Sequence, residues 1–485
     1  MSTPSGPVLW THVEAALATD GASSGEWSAH GVSIDTRSLQ PGDLFIALHG
    51  PNFDGHEFAA AAAASDAAAI VADQAKAADI SRVAAGTPVL SVADTMTALE
   101  KFAGAARGRA HARIVAVTGS VGKTGTKEAL RLALQGQGTV SATEGNLNNH
   151  WGLPLSLARL PADADFGIFE MGMNHPGEIA PLSALARPHV AVITEVVDVH
   201  AEFFASTTEI ADAKAEIFTG MDGQGTAILN RDNPLFGHLQ GRADDEGVGR
   251  VLSFGAHADA DAHLDRCALF GDASDVTATI MGNRLDYRVA VPGRHWVLNS
   301  LAVLTAVHAL GADVEAAAAS LANLSAMKGR GNRHVISFDG GTFTLIDESY
   351  NASPASMRAA IGVLANDVTA GTGRRVAVLG DMLELGGKSE RLHQELAESL
   401  TENAIDVVFT AGQYMSALWD ALPAHMRGGH VSVANKLVPM VTAAVRNGDV
   451  VMVKGSLGSR MGQIVEALSA LHHHGGRVPQ AANGE

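Results

Sequence analysis

Cysteine is almost absent from this chain: Cys267 is the only one in 485 residues. A disulfide framework is therefore excluded, and a reducing cytoplasm is the expected home. Long apolar runs are missing too, and no stretch reaches membrane-spanning length. The alanine-rich segment 58–72 is interrupted by Ser65 and Asp66 and is expected to form a buried helix. The first residues, MSTPSGPVLW, lack the basic start and apolar core of a signal peptide. Positive charge is also scarce. With 34 Lys and Arg against 52 Asp and Glu, the net charge of −18 argues against a non-specific nucleic-acid binder. An anionic substrate would need cations gathered locally.

What is present suits a soluble globular protein: 46% hydrophobic and 18% charged residues, in a chain long enough for two or three domains. Residues 1–108 are alanine-rich with short apolar runs, LFIAL and AAIVA. The basic stretch ARGRAHAR (106–113) reads as a connector. From Ile114, strand-like runs (IVAVT, FGIFE, HVAVIT) alternate with helical ones (KEALRLAL, STTEIADAKAEIF), which predicts a mostly parallel sheet covered by helices. Residues 250–292 look richer in strand, and an apolar helix, WVLNSLAVLTAVHAL, follows. A third unit starts near 328, where RVAVLGD, DVVFTAG and DVVMVKG predict another open α/β sheet of Rossmann-like kind. The expected class is thus α/β in three units, 1–108, 109–327 and 328–485, with a disordered tail after about 472.

The segment VAVTGSVGKTGTKEAL (115–130) carries the first chemistry. It resembles a phosphate-binding loop, although Val117 stands where the G-x-x-x-x-G-K-[ST] pattern has its first glycine. A buried strand over 114–118 and a helix from Lys123 would leave Gly119, Ser120, Val121, Gly122, Lys123, Thr124 and Gly125 between and at them. Their backbone N–H groups and the helix dipole would favour an anion. Lys123 would reach the β- and γ-phosphates, and Thr124 would meet Mg²⁺. Glu170 ends FGIFE, at the ligand-bearing edge of such a sheet. On spacing alone, His200 reads as an ordinary surface or core histidine and Lys214 as a solvated helix lysine.

Further blocks occur in order: TEGNLNNHWGLPLSL, FEMGMNHPGEI, GRHWVLNSLAV, DESYNASPASM, LGDMLELG and VKGSLGSRM, preceded by SIDTRSLQPGDLFIALHGPNFDGHEF. Together with the loop they resemble the Mur ligases, ATP-dependent amide-forming enzymes of peptidoglycan synthesis, most closely the MurF type. The shorter G-x-x-G-K-T loop is how that superfamily builds its phosphate site.

The resemblance implies a ligase joining D-Ala-D-Ala to UDP-MurNAc-tripeptide through an acyl phosphate, acting as a cytoplasmic monomer without nucleic acid or membrane insertion. It implies two Mg²⁺ ions held by Thr124, Glu170, His200 and a carbamylated Lys214. His295 and Asn299 fall on the adenine side. Arg330 matches an arginine that reaches the γ-phosphate, and Asp347 a ribose-contacting acid. Thr36 and Arg37 correspond to the uridine end, with Asn148 and Asn149 near the acceptor. Tyr350, Asn351, Pro354, Lys454 and Ser456 belong to the dipeptide side. For Tyr350 and Pro354, turn and helix-start chemistry is an equal reading.

Three positions depart from the pattern: Trp296, Gly125 and Leu457. The rival readings are a MurE-type or folylpolyglutamate-type ligase and a nucleotide-binding regulator that no longer ligates. The D-N-P-R motif of diaminopimelate-adding MurE types is missing from the third unit, which has YNASP instead.

Overall fold

The computed structural model describes residues 6–50, 53–84, 86–198 and 202–472. Its backbone is organised by three large sheets, one in each third of the chain. The first has five strands in the order Ala22–Ser23, Val89–Val92, Ala69–Asp73, Asp43–Ile46, Gly31–Ser33. All pair in parallel except the short first strand.

The central sheet has nine strands, and its middle decides where a ligand can sit. Arg113–Thr118 lies between Phe166–Glu170 on one side and Val190–Ile193 on the other, all parallel. From Arg113–Thr118 the chain goes first to the edge strand Val140–Ala142, returns through Phe166–Glu170, then crosses to Val190–Ile193 on the other side and continues through Thr226–Asn230 and Arg250–Gly255. The crevice beyond the end of Arg113–Thr118 is therefore a topological switch point, the usual ligand position of an open α/β sheet. Three further strands extend the sheet: Ala262–Leu269 pairs in parallel with Arg250–Gly255, and Ser274–Ile280 and Asn283–Val289 follow as antiparallel neighbours, which accounts for the strand-rich 250–292 segment.

Burial on both faces explains the continuous apolar runs. Along Arg113–Thr118, Val115 and Val117 enter the core shared with the helix Arg294–Ala309, whereas Ile114 and Ala116 enter the opposite core. The same alternation divides Ala377 and Leu379 from Val376 and Val378 in the last sheet. That sheet runs Asn332–Phe338, Gly341–Glu348, Val450–Lys454, Arg375–Gly380, Val407–Ala411, Arg427–Val431, with an antiparallel hairpin first and parallel strands after it.

Two expectations are corrected. The 58–72 segment is not one buried helix: the helix is only Ala59–Ala64, half of it solvent-facing, and Ala69–Asp73 is a strand. Asp66, in the left-handed region at φ 58°, turns the chain between them. The ARGRAHAR stretch is not a free connector. Helix Thr95–Arg109 runs through most of it, leaving only residues 110–112 before the next strand.

Its arginines are fasteners. Arg107 is buried and donates to the carbonyls of Ala186 at 2.6 Å and Arg187 at 2.9 Å, capping the helix Ile179–Ala186 of the central unit. Trp10 Nε1 donates to Ala158 O at 2.9 Å, and Leu155 and Ala158 complete the first unit's core. The tail read as disordered lies almost wholly outside the described residues. Among the described residues, no helix is long and apolar enough to cross a membrane.

Candidate functional site

The turn expected between a strand ending near 118 and a helix starting at Lys123 is present. The strand ends at Thr118 and the helix Lys123–Leu134 starts at the lysine. Two glycines make the turn possible. Gly122 has φ 89°, and a Cβ there would stand 3.0 Å from the Asn299 amide; Gly119 has φ 151°, and a Cβ there would collide with the Thr194 hydroxyl. The loop is also tied to the neighbouring strand's exit. Ser120 N donates to Glu195 O at 2.7 Å and its hydroxyl to Val197 O at 3.0 Å, while Thr194 Oγ1 donates to Val121 O at 2.6 Å. Glu195 is held in turn by Asn230 at 2.7 Å and by Asn233. Sequence reading missed Glu195, because its backbone carbonyl holds the turn and a main-chain contact leaves no sign in residue type.

Two lysines and a carboxylate meet beside this loop. Lys123 donates to Gly119 O at 2.8 Å. Burial lowers its pKa, the Glu170 carboxylate partly offsets this, and the Arg330 charge adds to the lowering. Lys214 is not the solvated lysine that spacing suggests: it is 3% exposed. Burial and then the nearby Lys123 charge push it well below the ordinary lysine range. Glu170 is 2% exposed, with Oε1 accepting from Asn148 Nδ2 at 2.7 Å and Oε2 buried without a partner among the described residues. Thr118 and Thr126 likewise carry buried, unpartnered hydroxyls on the strand and helix that bracket the loop.

This oxygen-rich set fits a hard divalent cation such as magnesium, which prefers oxygen ligands. Among the described residues no three His, Cys, Asp or Glu side chains cluster as a ready-made metal site. Such an ion would therefore need Thr124 and solvent or substrate oxygens besides Glu170. His200, the other expected ligand, lies outside the described residues.

Across from the loop, a cleft is lined by His295 and Trp296 of the central unit and by Arg330, Arg333, Glu348 and Val363 of the last. His295 keeps a solvent-exposed face, yet its crowded surroundings lower its pKa, with Glu348 opposing and Lys454 reinforcing the shift. Trp296 explains one departure by another. A Cβ on Gly125 would stand 2.7 Å from the Trp296 ring, so the missing side chain at 125 is the space that the indole occupies.

Arg330 is presented by a tight turn. Gly329 N donates to Asp347 Oδ2 at 3.0 Å and Gly331 N to Asp347 O at 2.8 Å, while Ser349 Oγ donates to Asp347 Oδ1 at 2.6 Å. Both carboxylate oxygens of Asp347 are thus engaged in holding this turn. The guanidinium of Arg330 lies 4.6 Å from the Tyr350 ring centroid, a cation–π contact that gives Tyr350 a positioning task. Pro354 is the first residue of the helix Pro354–Ala365, capped by Ser353, which is the helix-start reading. Lys454 is buried and donates to Glu348 Oε2 at 3.1 Å and Asn351 O at 3.0 Å; Ser456 Oγ accepts from Leu383 N at 3.0 Å. These groups gather at the carboxyl edge of the last sheet.

Asn149 Oδ1 accepts from Gly152 N at 3.0 Å and starts the helix Gly152–Ala158. The loop before that helix meets the first unit through Arg159, which donates to Val32 O at 2.7 Å and Glu144 at 2.7 Å. Thr36 and Arg37 follow the nearby strand Gly31–Ser33. They stay in the first unit, with Arg37 solvent-facing and paired to Asp35.

Family models match three consecutive portions of the chain: the Mur ligase family catalytic domain over 28–107, the Mur ligase middle domain over 117–307 and the Mur ligase glutamate ligase domain over 329–457. A UDP-N-acetylmuramoyl-tripeptide–D-alanyl-D-alanine ligase of Rickettsia prowazekii is 33% identical over 460 residues, 95% of this chain and 99% of its own. The protein of that name from Escherichia coli is 36% identical over 439 residues, 90% of this chain and 93% of its own. The chain belongs to the Mur ligase family.

Solved structures agree with this assignment. MurF from Acinetobacter baumannii superposes with a TM-score of 0.80 at 28% identity, covering 95% of this chain and 99% of that one. MurF ligase from Thermotoga maritima, solved in complex with ADP, gives 0.75 at 28% identity over 91% and 97%. In this Mur ligase, the buried Lys127 and Thr143 and the half-buried Glu195 are polar residues that the sequence reading passed over. Lys127 left a legible sign, since it shares the helix face of Leu130 and Leu134, where a lysine is out of place.

Proposed function

We propose that this protein is an ATP-dependent ligase that joins D-Ala-D-Ala to the terminal carboxylate of UDP-MurNAc-tripeptide. The observation that carries the reading is likeness over nine-tenths or more of the chain to proteins bearing that name. The ADP of the Thermotoga maritima structure supports nucleotide binding at the 119–125 loop. The proposed units are 1–108 for the uridine nucleotide, through Thr36 and Arg37, 109–327 for ATP, and 328–485 for the dipeptide. The single cysteine supports a cytoplasmic enzyme working on small molecules.

A carboxylate is a poor acyl donor because its leaving group would be oxide. Transfer of the γ-phosphoryl group of ATP converts it to an acyl phosphate and releases ADP. The dipeptide amine then adds to the carbonyl carbon, and the tetrahedral intermediate expels phosphate and a proton to leave the amide. The chain's task is positioning and charge neutralisation, and no side-chain nucleophile is needed.

Backbone N–H groups of 121–124 cradle the phosphates while Lys123 neutralises transferring charge. Arg330, aimed by Asp347 and Tyr350, brings a second cation from the last unit. His295 and Asn299 line the adenine side. Asn148 and Asn149 face the acceptor, and Asn351, Lys454 and Ser456 the dipeptide.

Thr124, Glu170, His200 and a carbamylated Lys214 would hold two magnesium ions. When bound, magnesium supplies Lewis-acid neutralisation of phosphoryl charge. The depressed pKa of Lys214 supports the carbamate, since a neutral amine can add to CO₂ with loss of one proton.

The test is phosphate release from ATP with UDP-MurNAc-tripeptide and D-Ala-D-Ala, diaminopimelate, glutamate or no amine, with product masses taken from the same samples. Release only with D-Ala-D-Ala, alongside a pentapeptide product, is expected. Release with another amine would keep the family and overturn the substrate. Release with no amine would leave a nucleotide hydrolase.

A further inference from the structure

One buried cation takes no part in the chemistry above. Lys127 lies one turn beyond Lys123 on the phosphate-loop helix, with a side chain that is 0% exposed. An ammonium has three N–H donors, and burying it is costly unless each finds an acceptor. Here each does: Thr143 O at 2.6 Å, Gly145 O at 3.3 Å and Glu128 Oε1 at 2.8 Å. A leucine could have filled this apolar face without that cost, so the ammonium is explained by the two carbonyls it grips.

Those carbonyls belong to the irregular loop 143–149, and the loop's other anchors converge on Glu170. Thr143 Oγ1 accepts from Glu170 N at 3.2 Å, Asn148 Nδ2 donates to Glu170 Oε1 at 2.7 Å, and Asn148 O accepts from Gly172 N at 2.8 Å. Helix, loop and strand form a closed circuit running from Lys127 through Thr143 and Asn148 to Glu170.

We infer that Lys127 is a positioning residue that fixes the 143–149 loop to the phosphate-loop helix, so that Asn148 orients the Glu170 carboxylate and the loop presents a formed acceptor site. The acceptor part of this inference rests on the ligase reading above; the loop-fixing part does not. Its consequence is a mechanical link between the ATP side and the acceptor side that bypasses the dipeptide side.

The experiment compares full-length wild type with Lys127→Met by amide hydrogen exchange and by steady-state kinetics. Exchange over 143–148 is expected to speed up about tenfold or more while the helix 123–134 keeps its protection. The KM for UDP-MurNAc-tripeptide should rise about tenfold with the KM for D-Ala-D-Ala unchanged, a split that loss of active molecules cannot imitate.

Wild-type protection over 143–148, or equal movement of both KM values, would overturn the inference. If Lys127→Met does not fold, Lys127→Gln, which keeps an N–H donor without the charge, is judged by the same criteria. If wild type ligates nothing, the ligase reading fails, and the exchange comparison still decides whether Lys127 fixes the loop.

Discussion

At the scale of single residues, two buried side chains make their environments testable. His393 Nε2 accepts from Met382 N at 2.9 Å, while Nδ1 donates to Ser389 O at 2.7 Å, an arrangement that only the neutral ring can make. Burial lowers its pKa, against smaller opposing effects of the Ser389 bond and the Asp381 charge. As pH falls below about 6.5, the unfolded chain takes up a proton that the folded chain refuses, so stability is lost from there down to the lowered value. Urea unfolding at pH 7 and pH 5 should show this acid loss in wild type and a smaller loss in His393→Gln.

The second residue-scale case is the contact between Gly125 and Trp296. Gly→Ala inside a helix ordinarily stabilises by about 1 kcal/mol. Here the methyl would meet the indole at 2.7 Å, so Gly125→Ala is expected to destabilise by about 1–3 kcal/mol. Combining it with Trp296→Leu should recover about 1 kcal/mol or more beyond additivity in a urea double-mutant cycle. Additive effects would mean the two positions do not share that space.

At the scale of elements, the turn at 329–331 is the part whose loss should be felt in catalysis rather than folding. Asp347→Ala removes the carboxylate that holds Gly329 N and the Ser349 side chain, and so frees the turn that carries Arg330. On the ligase reading, phosphate release should fall about 100-fold with the KM for the acceptor nucleotide little changed. An unchanged turnover would show that the turn holds Arg330 without Asp347.

Elements also show what the sequence could and could not display. Arg113–Thr118, Phe166–Glu170 and Val450–Lys454 were legible because strands buried on both faces are written as unbroken apolar runs. The 58–72 segment misled because alanine suits a helix and a buried strand alike, and only the left-handed Asp66 divides them. The strand–turn–helix at 118–123 was legible because its glycines, lysine and threonine are contiguous. Glu195, Thr143 and Lys127 were not, since each acts on a loop distant in sequence, and Lys214 gave no sign of burial because its helix is short and weakly patterned. The coupling of Gly125 to Trp296 was equally hidden: each looked like a separate departure.

At the scale of the molecule, the two junctions between units differ. The first is apolar and buried, with the helix Thr95–Arg109 laid on Gly152–Ala158 and Arg107 capping a helix of the central unit. The second is mixed, with a cleft lined by Trp296, Ile346 and Val363 as well as His295 and Glu348, and the half-exposed pair Lys388–Asp198 at 2.7 Å. Exposed pairs add at most about 1 kcal/mol, so this junction is the one able to open. X-ray scattering should show compaction when an ATP analogue and acceptor nucleotide are added, by movement of the last unit about residues 325–332. Lys388→Glu should lower the fraction of compact molecules, and equal scattering with and without ligands would count against the motion.

The indole that fills the space at Gly125 also makes the protein its own optical instrument. Trp296 is one of five tryptophans, set almost wholly in the core yet bordering the cleft beside the phosphate loop. Its emission should report the polarity of that cleft, shifting as nucleotide displaces water from one side of the ring. With the other four replaced by phenylalanine, the arrival of ATP could be timed in the unlabelled protein by fluorescence alone.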